Sequence, residues 1–470
     1  VRKEVFDKSN YKTIAPACVL FFNYAKGSDT DSSILEHIVL KPSRFFSLFK
    51  IFIINRTDFK IIQQKKLKEF DWLWKVLVYG SYLDFNFLKR IKNDYSTIKE
   101  SIKKNKNLLI GQGVMVGGGD ENDASDLVGK PYIDTRSDIR QYWINPDNKK
   151  KWEYDIVHRV RNKELYKAPV LLIAEGVKND LKSVSAICYT DSIYKSSLTG
   201  IKGKYKNSIK ILRQISGIIN SSFFSYYNLM AFSSSGIERE QSHDEEILNI
   251  PFSEEGNIHT IVKDIEELIL KYYNNKNVLI NPTLKISIQN NLSDLDRSVY
   301  ELFSASLEEK NLLSYANQVI IPIAMKHVGY EKLLKPIPIG DNTFEDYASL
   351  FLKRFKKNLS NNDRKFVVEI WHTKQIVGML FKVIPASEYK EDIVWKNKQN
   401  DVTSILSDLI KISSENITDR LFVQKDIRGF EKDYFYIFKP NERRLWHKAI
   451  GYIDVQEFSD AILKAGRVVR

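Results

Sequence analysis

Apolar residues run along this chain in two rhythms, and the way they alternate with polar stretches predicts its elements. Residues 15–25 (APACVLFFNYA) form an apolar run between DKSN and KGSD turns, the pattern of a buried strand. From 62 to 105 the chain is rich in Lys and aromatics with a helical rhythm, and reads as a connection between two units. Between 107 and 252, short strands such as PVLLIAEGV (169–177) alternate with Gly/Asn/Asp turns. Residues 209–229 place Leu212, Ile215, Ile218, Ile219 and Phe223 on one helix face, interrupted by Gly217 and the Ser221-Ser222 pair.

Residues 258–274 (IHTIVKDIEELILKYYN) are an amphipathic helix, and a second helix is expected at 294–303. Beyond 306 the character changes. KFVVEIWHTKQIVGMLFKVI (365–384) reads as two strands joined at His372-Thr373-Lys374-Gln375, and 400–414 and 456–465 read as helices. No repeat relates this part to the earlier one. The expected class is mixed α/β and multi-domain, cut at 1–65, 66–106 (helical linker), 107–252, 253–305 (helical segment) and 306–470 (α+β).

Composition adds little to the fold but something to the partner. The 470 residues suffice for several cores, and 43% hydrophobic with 28% charged residues is ordinary for a globular chain. A net charge of +13 points to a polyanion, or to the Lys-rich usage of an AT-rich genome. Cys18 and Cys188 cannot build a disulfide framework, which fits a reducing, cytoplasmic setting. The apolar run 45–54 (FFSLFKIFII) is too short to span a bilayer and contains Lys50, so no membrane is expected. The chain opens on Val1-Arg2-Lys3 and reads as the continuation of a longer polypeptide.

The glycine-rich stretch GQGVMVGGGDEN (111–122) is the obvious place to look for a phosphate cradle. Its spacing fails both tests. From Gly111 and Gly113 the next glycine that matters is Gly117, one residue too far for a dinucleotide fingerprint, and Gly119 stands where a P-loop needs Lys. Asp120, Glu121 and Asp123 then put negative charge where an anion would bind. Residues 108–113 instead read as a strand leading into the 107–252 block, and 117–123 as a mobile excursion. The seven histidines include no pair at metal-ligand spacing, and no G-x-S-x-G elbow occurs. His372 and His447, each after a Trp, read as structural. Catalytic, cofactor and metal residues are therefore expected to be none in this chain.

Basic residues gather in the middle block. KSSLTGIKGKYKNSIKILR (195–213) holds Lys195, Lys202, Lys204, Lys206, Lys210 and Arg213 without an acid, with Tyr189, Tyr194 and Tyr205 nearby. Arg159, Arg161 and Lys163 follow His158 in a second cluster. Phosphates are met by Lys and Arg, and base edges by side chains projected from loops and short strands. A solvated lysine-rich face is the plain alternative.

Over residues 1 to about 305 the chain resembles the C-terminal half of adenine-specific, S-adenosyl-L-methionine-dependent DNA methyltransferases of the type IIG or BREX-like restriction–modification class. VRKEVFDKSNYKTIAPACVLFFNYAKG is similar to the late strands of the methyltransferase core. KAPVLLIAEGVKND (167–180), SAICYTDSIY (185–194), SGIINSSFFSYY (216–227), ILNIPF (247–252) and LDRSVYELF (295–303) resemble, in order, segments of its target-recognition domain and the helix beyond. The resemblance implies a remnant of a Rossmann-like core at 1–65 and an α+β DNA-reading domain at 107–252. Double-stranded DNA would be the partner. Arg159, Arg161, Lys163, Lys178, Lys195, Lys202, Lys204, Lys206 and Arg239 are the expected contacts.

The Asp/Asn/Ser-Pro-Pro-aromatic tetrapeptide that holds a flipped adenine in this family does not occur. The cofactor and the catalytic half are therefore expected from an upstream segment or a core-bearing partner chain, and this chain alone is not expected to be catalytic. Two rivals stand beside this reading. One is a nuclease-bearing restriction subunit, for which Glu369 and Lys374 are spaced too widely. The other is a non-catalytic protein-interaction module.

Overall fold

The computed structural model describes residues 19–22, 30–41, 52–54, 56–104, 108–205, 208–233, 244–274, 281–396, 417–418, 421–423, 427–431 and 434–468. They are mixed α/β with several sheets, and they pack as two compact units. One is Asp84–Leu313; the other joins Val1–Leu83 to Ser314–Arg470. These units group the chain more coarsely than the five sequence segments do, and they place the first 83 residues with the C-terminal part.

Asp84–Leu313 is built on a four-stranded antiparallel sheet ordered Ser183–Cys188, Val170–Val177, Leu198–Gly203, Leu108–Gln112. The second strand is continuously apolar because both of its faces are covered. Val170, Leu172 and Ala174 join Trp152, Tyr166 and Tyr194 in one core. Leu171 and Ile173 point the other way, towards the face on which helix Ile209–Ile219 packs. Residues 209–229 break at the expected serine pair, where Asn220 closes the first helix and Ser221 caps a second, Ser222–Ala231.

Gly217 was expected to interrupt the helix and instead lies inside it. A Cβ there would stand 2.4 Å from Ile258 and 2.9 Å from Val262, so the glycine allows two helices to approach closely. The predicted helix 258–274 is present as Ile258–Asn274. Its successor, Asn281–Leu302, starts well before the expected position 294. Its first half fully buries no side chain, and Leu284 and Ile288 there are only half-buried.

In the other unit a five-stranded sheet runs Ile393–Lys396, Arg364–His372, Ile376–Pro385, Tyr434–Pro440, Ile427–Phe430. The predicted hairpin is its centre, closed by Thr373 donating its amide to the Ile376 carbonyl at 3.0 Å. Helices Asn342–Leu359 and Lys448–Val468 pack with this sheet around a core that includes Phe351, Phe366, Phe381 and Phe435. The Phe381 and Phe435 rings stack at 4.8 Å. Beneath them Asp454 pairs with the buried Lys439 and with Arg428, and accepts from the Tyr347 hydroxyl at 2.6 Å. Strands Ile34–Ile38 and Phe59–Gln63 pair antiparallel. Asp58, fully buried, pairs with Lys41 at 3.1 Å and ties that region to the C-terminal segment through Arg444 at 3.8 Å.

One expectation fails in part and another falls outside the described residues. Within 15–25, the described residues 19–22 form no strand, and Val19, Leu20, Phe21 and Phe22 are exposed, Phe21 to 94%. Residues 400–414 lie outside the described set. Among the described residues no helix is long and apolar enough to cross a membrane.

Candidate nucleic-acid interface

The sequence between the strands of the Asp84–Leu313 sheet knits a second layer from short segments. Val114 pairs with Lys195 and Met115 with Arg159, so these two cations flank one bridging segment. Gly113 makes this possible: a Cβ there would sit 2.2 Å from the Tyr194 carbonyl oxygen, and Val114 donates to that same oxygen at 2.8 Å. Ile193–Tyr194 runs parallel to Tyr132–Ile133. The latter is paired in turn with 150–152: Tyr132 donates to the Lys150 carbonyl at 3.0 Å and Trp152 to that of Lys130 at 2.9 Å. The apolar side chains of this layer (Val114, Ile133, Trp152, Ile193) fill the core beneath it, which leaves its cations at the surface.

The expected contact residues divide into two groups. Lys195 holds its ammonium over two rings, 5.0 Å from the centre of Tyr154 and 5.7 Å from that of Tyr132. Arg159 and Lys204 are exposed and have no ion-pair partner among the described residues. The others are engaged. Lys163 pairs with Asp126 at 2.7 Å, Arg161 donates to the Gln112 side chain at 2.9 Å, and Lys178 to that of Gln141 at 2.9 Å. Lys202 donates to the Lys167 carbonyl at 3.0 Å, and burial lowers its pKa. Lys206 and Arg239 lie outside the described residues.

Two details of the basic stretch need correcting. Arg213 is not without an acid: Glu266, from the neighbouring helix, pairs with it at 2.9 Å, and Tyr189 joins them through its hydroxyl. Tyr194 is no surface ring, being buried in the core edge-on to Tyr166.

Sequence reasoning missed the residues that complete the row. Lys130, Lys149 and Lys151 are exposed beside Tyr132 and Trp152, without ion-pair partners among the described residues. Lys150 differs: it is drawn in by Asp138 at 2.9 Å. The signal was present in NKKKWEY (148–154), where lysines adjoin aromatics. The short-strand layer thus carries Lys130, Lys149, Lys151, Arg159 and Lys195 with Tyr132 and Tyr154 among them, a surface suited to a polyanion.

The glycine stretch behaves otherwise. Residues 120–122, expected to be mobile, are tied down: Asp120 donates its amide to His158 Nδ1 at 3.0 Å, and Asn122 donates to the His158 carbonyl at 2.6 Å. Asn122 and Asp123 also pair with Ile156–Val157. Elsewhere the chemistry-bearing residues serve packing. His372 Nε2 meets the Ile337 carbonyl at 2.9 Å. His447 is partly buried, and desolvation pushes its pKa down to about 4. Glu369 is buried against Lys382 at 2.8 Å and accepts from the Tyr389 hydroxyl at 2.9 Å. Among the described residues no three His, Cys, Asp or Glu side chains converge as a metal site.

Compared with known proteins, the chain matches no family model and no curated protein.

Proposed function

We propose that this chain recognises double-stranded DNA as part of an adenine-specific DNA methyltransferase system, with Asp84–Leu313 as the reading unit. The observation that carries the proposal is the row of unneutralised cations on the short-strand layer, with Lys195 poised between Tyr132 and Tyr154. Lys and Arg set on short, rigid segments can follow a phosphate backbone while neighbouring loop tips reach base edges. The ordered resemblance of 167–303 to target-recognition segments gives that polyanion its identity.

In this reading the first 65 residues finish a Rossmann-like methyltransferase core whose remainder comes from another segment or chain. Support comes from the pair Ile34–Ile38 and Phe59–Gln63, on which Ile34, Ile38, Phe59 and Ile61 are exposed, an apolar face that further elements of such a core would cover. S-adenosyl-L-methionine fits none of the glycine stretch, where Gly113 is packed against backbone and Asp120 faces His158. Cofactor binding and methyl transfer are therefore assigned to the remainder of the core.

Selection from a pool of randomised duplexes tests the proposal. Enrichment of one short sequence is expected. Recovery of bound duplex with no preferred sequence would refute target recognition.

A further inference from the structure

A second group of cations, on other segments than the Lys195 row, is built differently. The short hairpin Ile139–Arg140 and Trp143–Ile144 packs beside strand Ser183–Cys188 and the helix Ile258–Asn274. It stacks Arg140 on two rings. The guanidinium carbon is 5.5 Å from the Trp143 ring centre and 5.3 Å from that of Tyr273, and the rings are 4.5 Å apart. Arg140 Nη1 donates to the Tyr273 hydroxyl at 2.9 Å. No carboxylate among the described residues pairs with Arg140, which is exposed, so its remaining N–H donors are free to face solvent.

Two lysines share the neighbourhood. The turn that joins Val170–Val177 to Ser183–Cys188 carries Lys178 and Lys182, and Lys178 donates to Gln141, the residue next to Arg140. Burial lowers the pKa of Lys178, and the charges of Lys182 and Arg140 lower it further against the opposing pull of Asp180. Crowding three cations around one acid costs stability, and a bound anion relieves that cost. A guanidinium held by two rings also loses little entropy on binding, and its planar fork matches the oxygens of a phosphate.

We propose that Arg140, stacked on Trp143 and Tyr273 beside Lys178 and Lys182, binds a DNA phosphodiester and forms a clamp separate from the Lys195 row. The proposal rests on the DNA-reading assignment of Asp84–Leu313 and adds a second, preorganised contact to it.

The test uses the full chain, fluorescence anisotropy with two unrelated duplexes, and the variants Arg140→Ala, Arg140→Lys, Tyr273→Phe and Lys195→Ala. Arg140→Ala is expected to weaken both duplexes about tenfold and to reduce the slope of log affinity against log salt by about 0.9. Arg140→Lys keeps the charge but loses the fork and falls between. Tyr273→Phe keeps the stack, removes one hydrogen bond, and costs about two- to threefold. Wild-type affinity in Arg140→Ala, with Lys195→Ala impaired, overturns the clamp and leaves the DNA reading standing. A loss confined to one of the two duplexes also overturns it, because Arg140 would then be reading a base. If the wild-type chain binds neither duplex, the DNA reading fails and takes the clamp with it.

Discussion

The ammonium of Lys195 lies 5.0 Å from the centre of the Tyr154 ring, and no carboxylate among the described residues neutralises it. An exposed contact of this kind is worth about 0.5–1 kcal/mol, enough to hold a long side chain in place without quenching its charge. The ring therefore matters to binding through the cation it positions. Lys195→Ala is expected to weaken duplex DNA binding about three- to tenfold, and Tyr154→Ala by slightly less. Tyr154→Phe should be near neutral, and Lys195→Ala with Tyr154→Ala should cost less than the two single losses combined. A double-mutant cycle by anisotropy checks this; strict additivity would remove the coupling between ring and cation.

Gly217 is expected to tolerate no side chain. With Ile258 and Val262 at 2.4 and 2.9 Å from the position of a Cβ, Gly217→Ala forces the two helices apart. The expected cost is about 1–3 kcal/mol, larger for Gly217→Val. Thermal unfolding followed by circular dichroism measures it. An unchanged melting temperature would mean that the helices part at no cost.

The Lys439–Asp454 pair, buried with Arg428 and Tyr347, is expected to punish the loss of either charge. Asp454→Asn leaves Lys439 buried and unneutralised, and should cost about 3–5 kcal/mol in urea unfolding. Lys439→Met should cost less, because Arg428 and the Tyr347 hydroxyl still serve Asp454. A larger loss in Lys439→Met than in Asp454→Asn would contradict this ordering.

Acid should act in two windows. Burial pushes the His447 pKa from 6.5 down to about 4. Its folded pKa is depressed, so its contribution is complete above pH 6.5 and is lost as the pH falls towards 4. His37, lowered by burial and by Lys60 and Lys41, acts in the same direction. Asp454 is held below its ordinary 3.8 because Lys439 and Arg428 outweigh its burial, so its share is lost only below that value. His447→Asn keeps an acceptor for the Ala449 amide and should flatten part of the upper window. Urea midpoints measured from pH 7 to 4 decide; identical curves for variant and parent would exclude a role for His447.

The legible parts of this chain were those where burial is one-sided or complete. The helix Ile258–Asn274 buries one regular set of positions and the hairpin of Arg364–His372 with Ile376–Pro385 buries continuous apolar runs, and both patterns could be read directly. The first half of Asn281–Leu302 only half-buries Leu284 and Ile288 and is otherwise polar or exposed, so its pattern is weaker. Gly217 misled because a glycine in an apolar helix face looks the same whether it breaks the helix or admits a neighbour.

At the interface, the row was only half legible. Lys195 and Arg159 were evident from charge, but 114, 130–133, 150–152 and 193–195 come together through pairings between distant segments. For the same reason Lys163, Lys178 and Arg213 looked free in the sequence, although Asp126, Gln141 and Glu266 meet them in the fold.

Duplex DNA binding by the purified full chain, measured across salt concentration, tests the central claim most directly. If the cations of the short-strand layer and Arg140 track phosphates, affinity should fall steeply between about 50 and 200 mM salt, with a log–log slope of about −5 for these contacts. Charge-neutral replacement of Lys130, Lys149, Lys151, Arg159 and Lys195 together should bring that slope to about −1, the share left to Arg140. No binding at the lowest salt, or binding indifferent to salt, would contradict the account.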